Sequence, residues 1–213
     1  IKITTDNGLV GWGESPRIAS AEVILKAIES MIPMMLNQDP WQNQLLEKNV
    51  YHDSNWQWSQ MTANLAYGGV DMALWDIYGQ ETGLPIYKLL GGNLREYVDY
   101  FYYLQWDEPD HLLKQCTEGL DKNYDVFYMK IGVNEIIEEE MIRQVRSIIG
   151  NDKKIRLDIN MAWDVPKAKK LINKWHEKYN LDFVEAPVPI QPLNLMKEVN
   201  DKVDASLCIN EGL

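Results

Sequence analysis

The chain has 213 residues, a net charge of −11 and an isoelectric point near 4.7, and this acidity argues against nucleic-acid or anionic-membrane partners. A hydrophobic content of 46% and a charged content of 25% are typical of a globular protein with one large or two modest domains. No apolar run is as long as a membrane span, no signal-peptide pattern opens the chain and two cysteines form no disulfide framework, so a cytoplasmic protein is expected.

The first 36 residues predict a β-hairpin followed by a helix. Apolar and polar residues alternate from Ile1 to Asp6-Asn7-Gly8, where the Asn-Gly pair favours a tight turn, and Leu9–Trp12 forms the return strand. Residues 20–36 repeat apolar side chains at helical spacing, and Ser20 is the expected N-cap.

Two more helices are predicted in the next 46 residues. Asp39-Pro40-Trp41 opens a helix that reaches about Tyr51, and the polar and aromatic stretch His52–Ser59 interrupts the helical pattern. Met61–Thr82 is the longest helix, and small residues along it permit close packing.

A domain boundary is expected shortly after this helix. Gly83-Leu84-Pro85 is a glycine-then-proline helix stop, and Gly91-Gly92-Asn93 is a natural linker. The sequence therefore predicts an α+β domain over residues 1–95 and a second domain over residues 96–213.

In the second domain, short apolar runs alternate with helical patterns, which predicts buried parallel strands joined by helices. The first strand is predicted at Val98–Leu104. The other four strands are predicted at residues 125–128, 154–157, 181–184 and 205–209. The three clearest helices are predicted at residues 109–122, 138–149 and 166–179. This order predicts the first five strands of an α/β barrel of the TIM type.

Each of the last four runs ends in residues that can carry chemistry, namely Tyr128 with Lys130, Asp158 with Asn160, Glu185, and Glu211. Lys130 and the three acids are 26 to 28 residues apart, about one strand–helix–strand step, so they fall at the carboxyl ends of successive strands. That end of a barrel holds the active site.

Three carboxylates that converge would repel each other unless a cation lies between them. Asp158, Glu185 and Glu211 form an all-oxygen set with Asn160 nearby, which favours Mg²⁺ over Ca²⁺ or Mn²⁺. Lys130 faces the same side, and a neighbouring cation favours the neutral amine that a base requires. The alternative interpretation is that these acids are unrelated surface residues of an acidic chain.

Several motifs resemble the mandelate racemase/muconate lactonizing enzyme branch of the enolase superfamily. They are Asp158-x-Asn160 with Trp163, Phe183-Val184-Glu185-Ala186-Pro187, Glu211, and two stretches of the first domain, Gly8–Glu14 and Asp71–Gly92. The resemblance implies a capping domain before the barrel, a Mg²⁺ site, and removal of a proton α to a carboxylate through an enediolate. It also implies a small carboxylate substrate and a homo-oligomer, and it gives Asp71 and Asp76 structural hydrogen bonds.

The resemblance leaves the reaction open. Many relatives carry Lys-x-Lys where this chain has Tyr128 and Lys130, so Lys130 is the candidate base and Tyr128 is expected to hydrogen-bond a substrate oxygen or to tune Lys130. The second catalytic group of relatives lies on strands six to eight, which we expect to lie outside this segment. Isomerase chemistry, either cycloisomerisation or racemisation, is favoured over dehydration of an acid sugar or hydroxy acid. A metal-binding barrel without activity is the alternative from another class.

Overall fold

The computed structural model describes residues 1–18, 20–105, 109–192 and 194–210. The chain divides into two compact units, Ile1–Glu96 and Tyr97–Leu213, so the division lies one residue beyond the boundary expected from the sequence. Within the described residues, no helix combines the length and the apolar character needed to cross a membrane.

The first unit opens with the predicted hairpin. Strands β1 (Lys2–Thr4) and β2 (Val10–Trp12) pair antiparallel, with Ile3 opposite Gly11. Gly8 in the connecting turn has a φ of +88°, a conformation that side-chain-bearing residues rarely adopt.

Helices supply the rest of the first unit. They are α1 (Ala21–Met35), α2 (Asn43–Lys48), α3 (Gln60–Thr82) and α4 (Ile86–Leu89). The hydroxyl of Ser20 accepts a hydrogen bond from the amide of Val23, which confirms the predicted N-cap of α1. The second helix differs from the prediction, because after Lys48 it widens into a π-helical turn at Asn49–Asp53.

Two acids of α3 tie this helix to its neighbours. Asp76 accepts a hydrogen bond from the backbone amide of Trp12 at 2.9 Å, and Asp71 accepts one from the side-chain amide of Asn43 at 2.6 Å. The structural role expected for both acids is confirmed.

The second unit is built on a five-stranded parallel sheet in the order β3-β4-β5-β6-β7. Its strands are β3 (Tyr102–Leu104), β4 (Val126–Lys130), β5 (Lys154–Asp158), β6 (Leu181–Glu185) and β7 (Ser206–Cys208). The connecting helices are α5 (Pro109–Asp121), α6 (Glu135–Ile149), α7 (Val165–Tyr179) and α8 (Asn194–Asn200). Five strands that each follow their neighbour in sequence form part of an α/β barrel, as predicted.

The two faces of this sheet differ in chemistry. Alternate strand residues such as Phe127, Leu157 and Val184 pack with the helices in one apolar core. The residues between them, which include Tyr128 and Asp158, project to the opposite face. The sheet thus carries its hydrophobic core on one side and its acids and bases on the other.

Two boundaries depart from the sequence prediction. The first barrel strand pairs with β4 only over Tyr102–Leu104, whereas residues 98–101 are exposed and form no ladder with β4. Helix α6 begins at Glu135, three residues before the predicted start, since the side chain of Asn134 caps the amides of Ile136 and Ile137.

Candidate metal and acid–base site

The strand register places the predicted site residues in one row at the carboxyl ends of the sheet. Lys130 pairs with Asp158, Asp158 with Glu185, and Glu185 with Cys208. Neighbouring residues in register project to the same face, so the row brings an amine, two carboxylates and a thiol together. Cys208 is half-buried.

The two carboxylates are buried and meet at one phenol. Asp158 is 1% exposed and Glu185 is 8% exposed. The hydroxyl of Tyr128 lies 2.8 Å from Oδ2 of Asp158 and 3.0 Å from Oε2 of Glu185. Asp158 and Glu185 are therefore buried neighbours, and the alternative interpretation of unrelated surface acids does not hold for them.

Lys130 lies at the open side of this pair. Its Nζ donates to Oδ2 of Asp158 at 2.6 Å and to Oδ1 of Asn160 at 2.6 Å, while 45% of its side chain is exposed. Asn160 has a φ of +46°, and its backbone amide donates to Oδ1 of Asp158 at 2.9 Å. Lys130 is therefore the member of the ion pair that a small molecule can reach.

The ring of Tyr128 packs against two aromatic rings, one just before β3 and one on β3. Phe101 stacks on it with ring centroids 4.5 Å apart, and Tyr103 packs at 5.8 Å. Burial, the hydrogen bond to Asp158 and the negative charge of both acids raise the pKa of Tyr128 far above its ordinary value. The phenol accordingly keeps its proton and acts as a hydrogen-bond donor.

Glu138 is a functional candidate that the sequence did not reveal. This fully buried carboxylate accepts hydrogen bonds at Oε1 from three successive backbone amides, those of Gly132, Val133 and Asn134, at 2.7 to 3.0 Å. These amides belong to the segment that leaves β4 directly after Lys130. The sequence signal was limited to an acid in the first turn of a helix, a position that is usually exposed.

The donor set fits a hard divalent cation. Oδ2 of Asp158 and Oε2 of Glu185 both lie within hydrogen-bond distance of the Tyr128 hydroxyl, and carboxylate oxygens are the ligands that a hard divalent cation prefers. The third predicted ligand, Glu211, lies outside the described residues. Within the described residues, no three His, Cys, Asp or Glu side chains form a metal-binding group.

Two family models together match most of the chain. The model described as "Mandelate racemase / muconate lactonizing enzyme, N-terminal domain" matches residues 1–91, and the model described as "Enolase C-terminal domain-like" matches residues 111–213.

Individual relatives agree with these models. The chain is 30% identical to N-succinyl-L-Arg/Lys racemase of Bacillus cereus, an alignment that covers all of this chain and 58% of the relative. It is 29% identical to D-galactonate dehydratase of Pectobacterium atrosepticum, over 88% of this chain and 51% of the relative. The crystal structure of dipeptide epimerase from Enterococcus faecalis V583 complexed with Mg and the dipeptide L-Leu-L-Tyr matches with a TM-score of 0.86 and 27% identity.

That structural match covers all of this chain and 59% of the epimerase chain. The chain thus spans about three-fifths of the length of the first relatives that it matches, 58% in the case of the racemase.

Proposed function

Because the chain belongs to the mandelate racemase/muconate lactonizing enzyme branch of the enolase superfamily, we propose that the protein is a Mg²⁺-dependent enzyme that removes a proton α to a carboxylate. The observation that carries this proposal is the placement of Lys130, Asp158 and Glu185 at the ends of three consecutive parallel strands, where Lys130 contacts Asp158 and the Tyr128 hydroxyl reaches both acids. A base beside paired carboxylate ligands is the arrangement that proton abstraction from a carboxylate substrate requires.

Asp158, Glu185 and Glu211 would hold the metal. Bound there, Mg²⁺ would supply a Lewis acid that stabilises the negative charge developing on the substrate carboxylate as the α-proton leaves. The epimerase structure that contains Mg supports this assignment. The backbone amide of Asn160 fixes Asp158 through Oδ1, and Oδ2 accepts from Tyr128 and Lys130.

Lys130 would be the base that exchanges the α-proton. Its Nζ is held at 2.6 Å from both Asp158 and Asn160, which fixes its position, and its exposure leaves the amine accessible to a bound substrate. A base must first be unprotonated, and Asn160 can accept a hydrogen bond from the neutral amine as well as from the charged one. The hydroxyl of Tyr128 faces the two carboxylates, so Tyr128 would act as a hydrogen-bond donor and not as the base.

Racemisation or epimerisation is the proposed outcome, with dehydration as the second candidate. One racemase and three epimerases align over the whole chain, whereas the dehydratases align over 88% to 97% of it, which favours the isomerase. The small carboxylate substrate is proposed from the dipeptide in the epimerase structure. The capping role of residues 1–95, the catalytic role of residues 96–213, a cytoplasmic location and a homo-oligomer belong to the same proposal.

The test is exchange of substrate hydrogen with deuterium from solvent, measured by NMR on the full-length protein with Mg²⁺ and a panel of N-acylated amino acids, dipeptides and sugar acids. Lys130→Ala should lower exchange at the α-carbon by at least about 100-fold, the usual contribution of a positioned base. Lys154→Ala is the matched control, since this lysine lies at the opposite end of β5 and pairs with Asp182.

Exchange that survives in Lys130→Ala would show that another group is the base. A wild-type protein that binds Mg²⁺ but exchanges none of the panel would favour the metal-binding barrel without activity. Loss of a β-hydroxyl group from a sugar acid, in place of inversion at the α-carbon, would favour the dehydratase.

A further inference from the structure

We infer that Tyr128 is a positioning residue whose single hydroxyl proton is shared between the carboxylates of Asp158 and Glu185, and that it lowers the affinity of this pair for a divalent cation. The inference rests on the proposed Mg²⁺ site, and it gives Tyr128 a role different from contact with the substrate. It starts from the hydroxyl of Tyr128, which lies within hydrogen-bond distance of both buried carboxylates.

Glu185 depends on Tyr128 more than Asp158 does. Asp158 also receives the Lys130 ammonium at 2.6 Å and the backbone amide of Asn160 at 2.9 Å. Among the described residues, no side chain other than Tyr128 donates a hydrogen bond to the Glu185 carboxylate. A carboxylate that is 8% exposed and has no donor is strongly disfavoured, so this hydroxyl stabilises Glu185 in its buried position.

The surroundings of the ring make the hydroxyl a fixed donor. Phe101 stacks on the ring at an interplanar angle of 21°, and Tyr128 itself is 7% exposed. A side chain packed in this way cannot follow the carboxylates if they move. The hydroxyl that faces both acids is accordingly carried by β4, the strand that also carries Lys130.

The hydroxyl and a cation act on the same oxygen atoms. A hydrogen bond to an ionised carboxylate is stronger than one to a carboxylate whose charge is shared with a metal ion. Tyr128 consequently stabilises the cation-free pair more than the cation-bound pair. Because coupling between two sites is reciprocal, removing the hydroxyl must tighten cation binding.

The experiment compares wild type, Tyr128→Phe and Tyr103→Phe as full-length proteins stripped of metal with a chelator. Phenylalanine keeps the stacked ring and removes only the hydroxyl. Tyr103 is the matched control, since it packs against Tyr128, and its hydroxyl makes no hydrogen bond to either carboxylate within the described part of the chain. Mg²⁺ affinity is measured by calorimetric titration, and melting temperature is measured with and without saturating Mg²⁺.

We expect Tyr128→Phe to lower the melting temperature of the stripped protein by about 2–4 °C. We expect the same substitution to lower the Kd for Mg²⁺ by about tenfold, equivalent to about 1.4 kcal/mol. Saturating Mg²⁺ should recover most of the lost melting temperature, which separates this role from a general packing defect. Tyr103→Phe should change neither quantity.

An unchanged or weaker Mg²⁺ affinity in Tyr128→Phe would overturn the inference and leave the proposed metal site standing. Absence of any Mg²⁺ response in the wild type would overturn the metal site, and the inference with it. The two failures are thus distinguishable.

Discussion

Two buried charged residues hold the segments that enter and leave the strands of the second unit. At the carboxyl ends, Oε1 of Glu138 accepts the amides of Gly132, Val133 and Asn134, and its Oε2 is buried without a partner in the described residues. At the opposite ends, the guanidinium of Arg146 donates to four backbone carbonyls, those of Gly150, Lys153, Tyr179 and Asn180. Burial lowers the pKa of Arg146, and these carbonyls compensate for lost water.

Glu138→Ala should destabilise the protein by about 2–4 kcal/mol, because three backbone amides lose an anionic acceptor and a cavity replaces a fully buried side chain. Denaturant unfolding measures the loss, and hydrogen exchange should show faster exchange at residues 132–134. Glu135→Ala is the control, since Glu135 lies in the same helical turn and makes only a partly exposed ion pair with Lys167 at 3.4 Å. Equal stability of the two variants would contradict the role assigned to Glu138.

Most elements could be predicted from the sequence because each carries a local signal. The strands of the second unit are apolar runs at a fixed spacing, and Ser20 and Gly83 mark helix ends with ordinary capping chemistry. The segment before Tyr102 has the composition of a strand but stays exposed and unpaired, because pairing depends on a partner strand and not on composition. The π-helical turn at Asn49–Asp53 has no sequence signal of its own.

The candidate site was likewise predictable from the sequence only in part. Strand spacing predicted that Tyr128, Lys130, Asp158 and Glu185 share one end of the sheet, since that conclusion needs only the repeat and the alternation of side chains. It could not predict that one phenol reaches both acids, because this depends on the register of three strands and on the packing of the ring. Glu138 was missed for a similar reason, since its amide partners come together only in the folded loop.

On the side of α3, the contact with the start of the chain requires a glycine at position 69 and not at position 68. A Cβ on Gly69 would lie 2.4 Å from the hydroxyl oxygen and 2.9 Å from the backbone nitrogen of Ser15, whereas a Cβ on Gly68 would meet nothing within 4 Å. Gly69→Ala should therefore cost at least about 1–3 kcal/mol in unfolding free energy. Gly68→Ala should gain up to about 1 kcal/mol, because alanine favours a helix interior.

Both substitutions add one methyl group to the same helix. The difference between their unfolding free energies therefore measures the effect of the close approach of Ser15 to Gly69. Ser15 also hydrogen-bonds the carbonyl of Ala66 at 2.9 Å, which limits how far it can retreat from a methyl group on residue 69. Similar unfolding free energies for Gly69→Ala and Gly68→Ala would contradict this packing.

For the molecule as a whole, the chain divides into two compact units, and the proposed metal ligands and base belong to the second. Each unit has its own hydrophobic core, one around α1 and α3 and the other between the parallel sheet and its helices. A ligand stabilises the cooperative unit that contains its binding site. Metal binding therefore provides a test that distinguishes the second unit from the first.

Saturating Mg²⁺ should slow amide hydrogen exchange in β4, β5 and β6 of the full-length protein and leave residues 1–96 nearly unchanged. At 100 times the Kd, the expected stabilisation is about 2.7 kcal/mol, or about 100-fold in the slowest amides of the second unit. Glu185→Gln should reduce this effect sharply, because a neutral amide replaces one of the two buried carboxylates. Glu177→Gln, an exposed acid on α7, changes the net charge equally and should keep the full effect. Equal Mg²⁺ protection in Glu185→Gln and wild type would place the metal at other groups, and equal protection in both units would show that they respond as one.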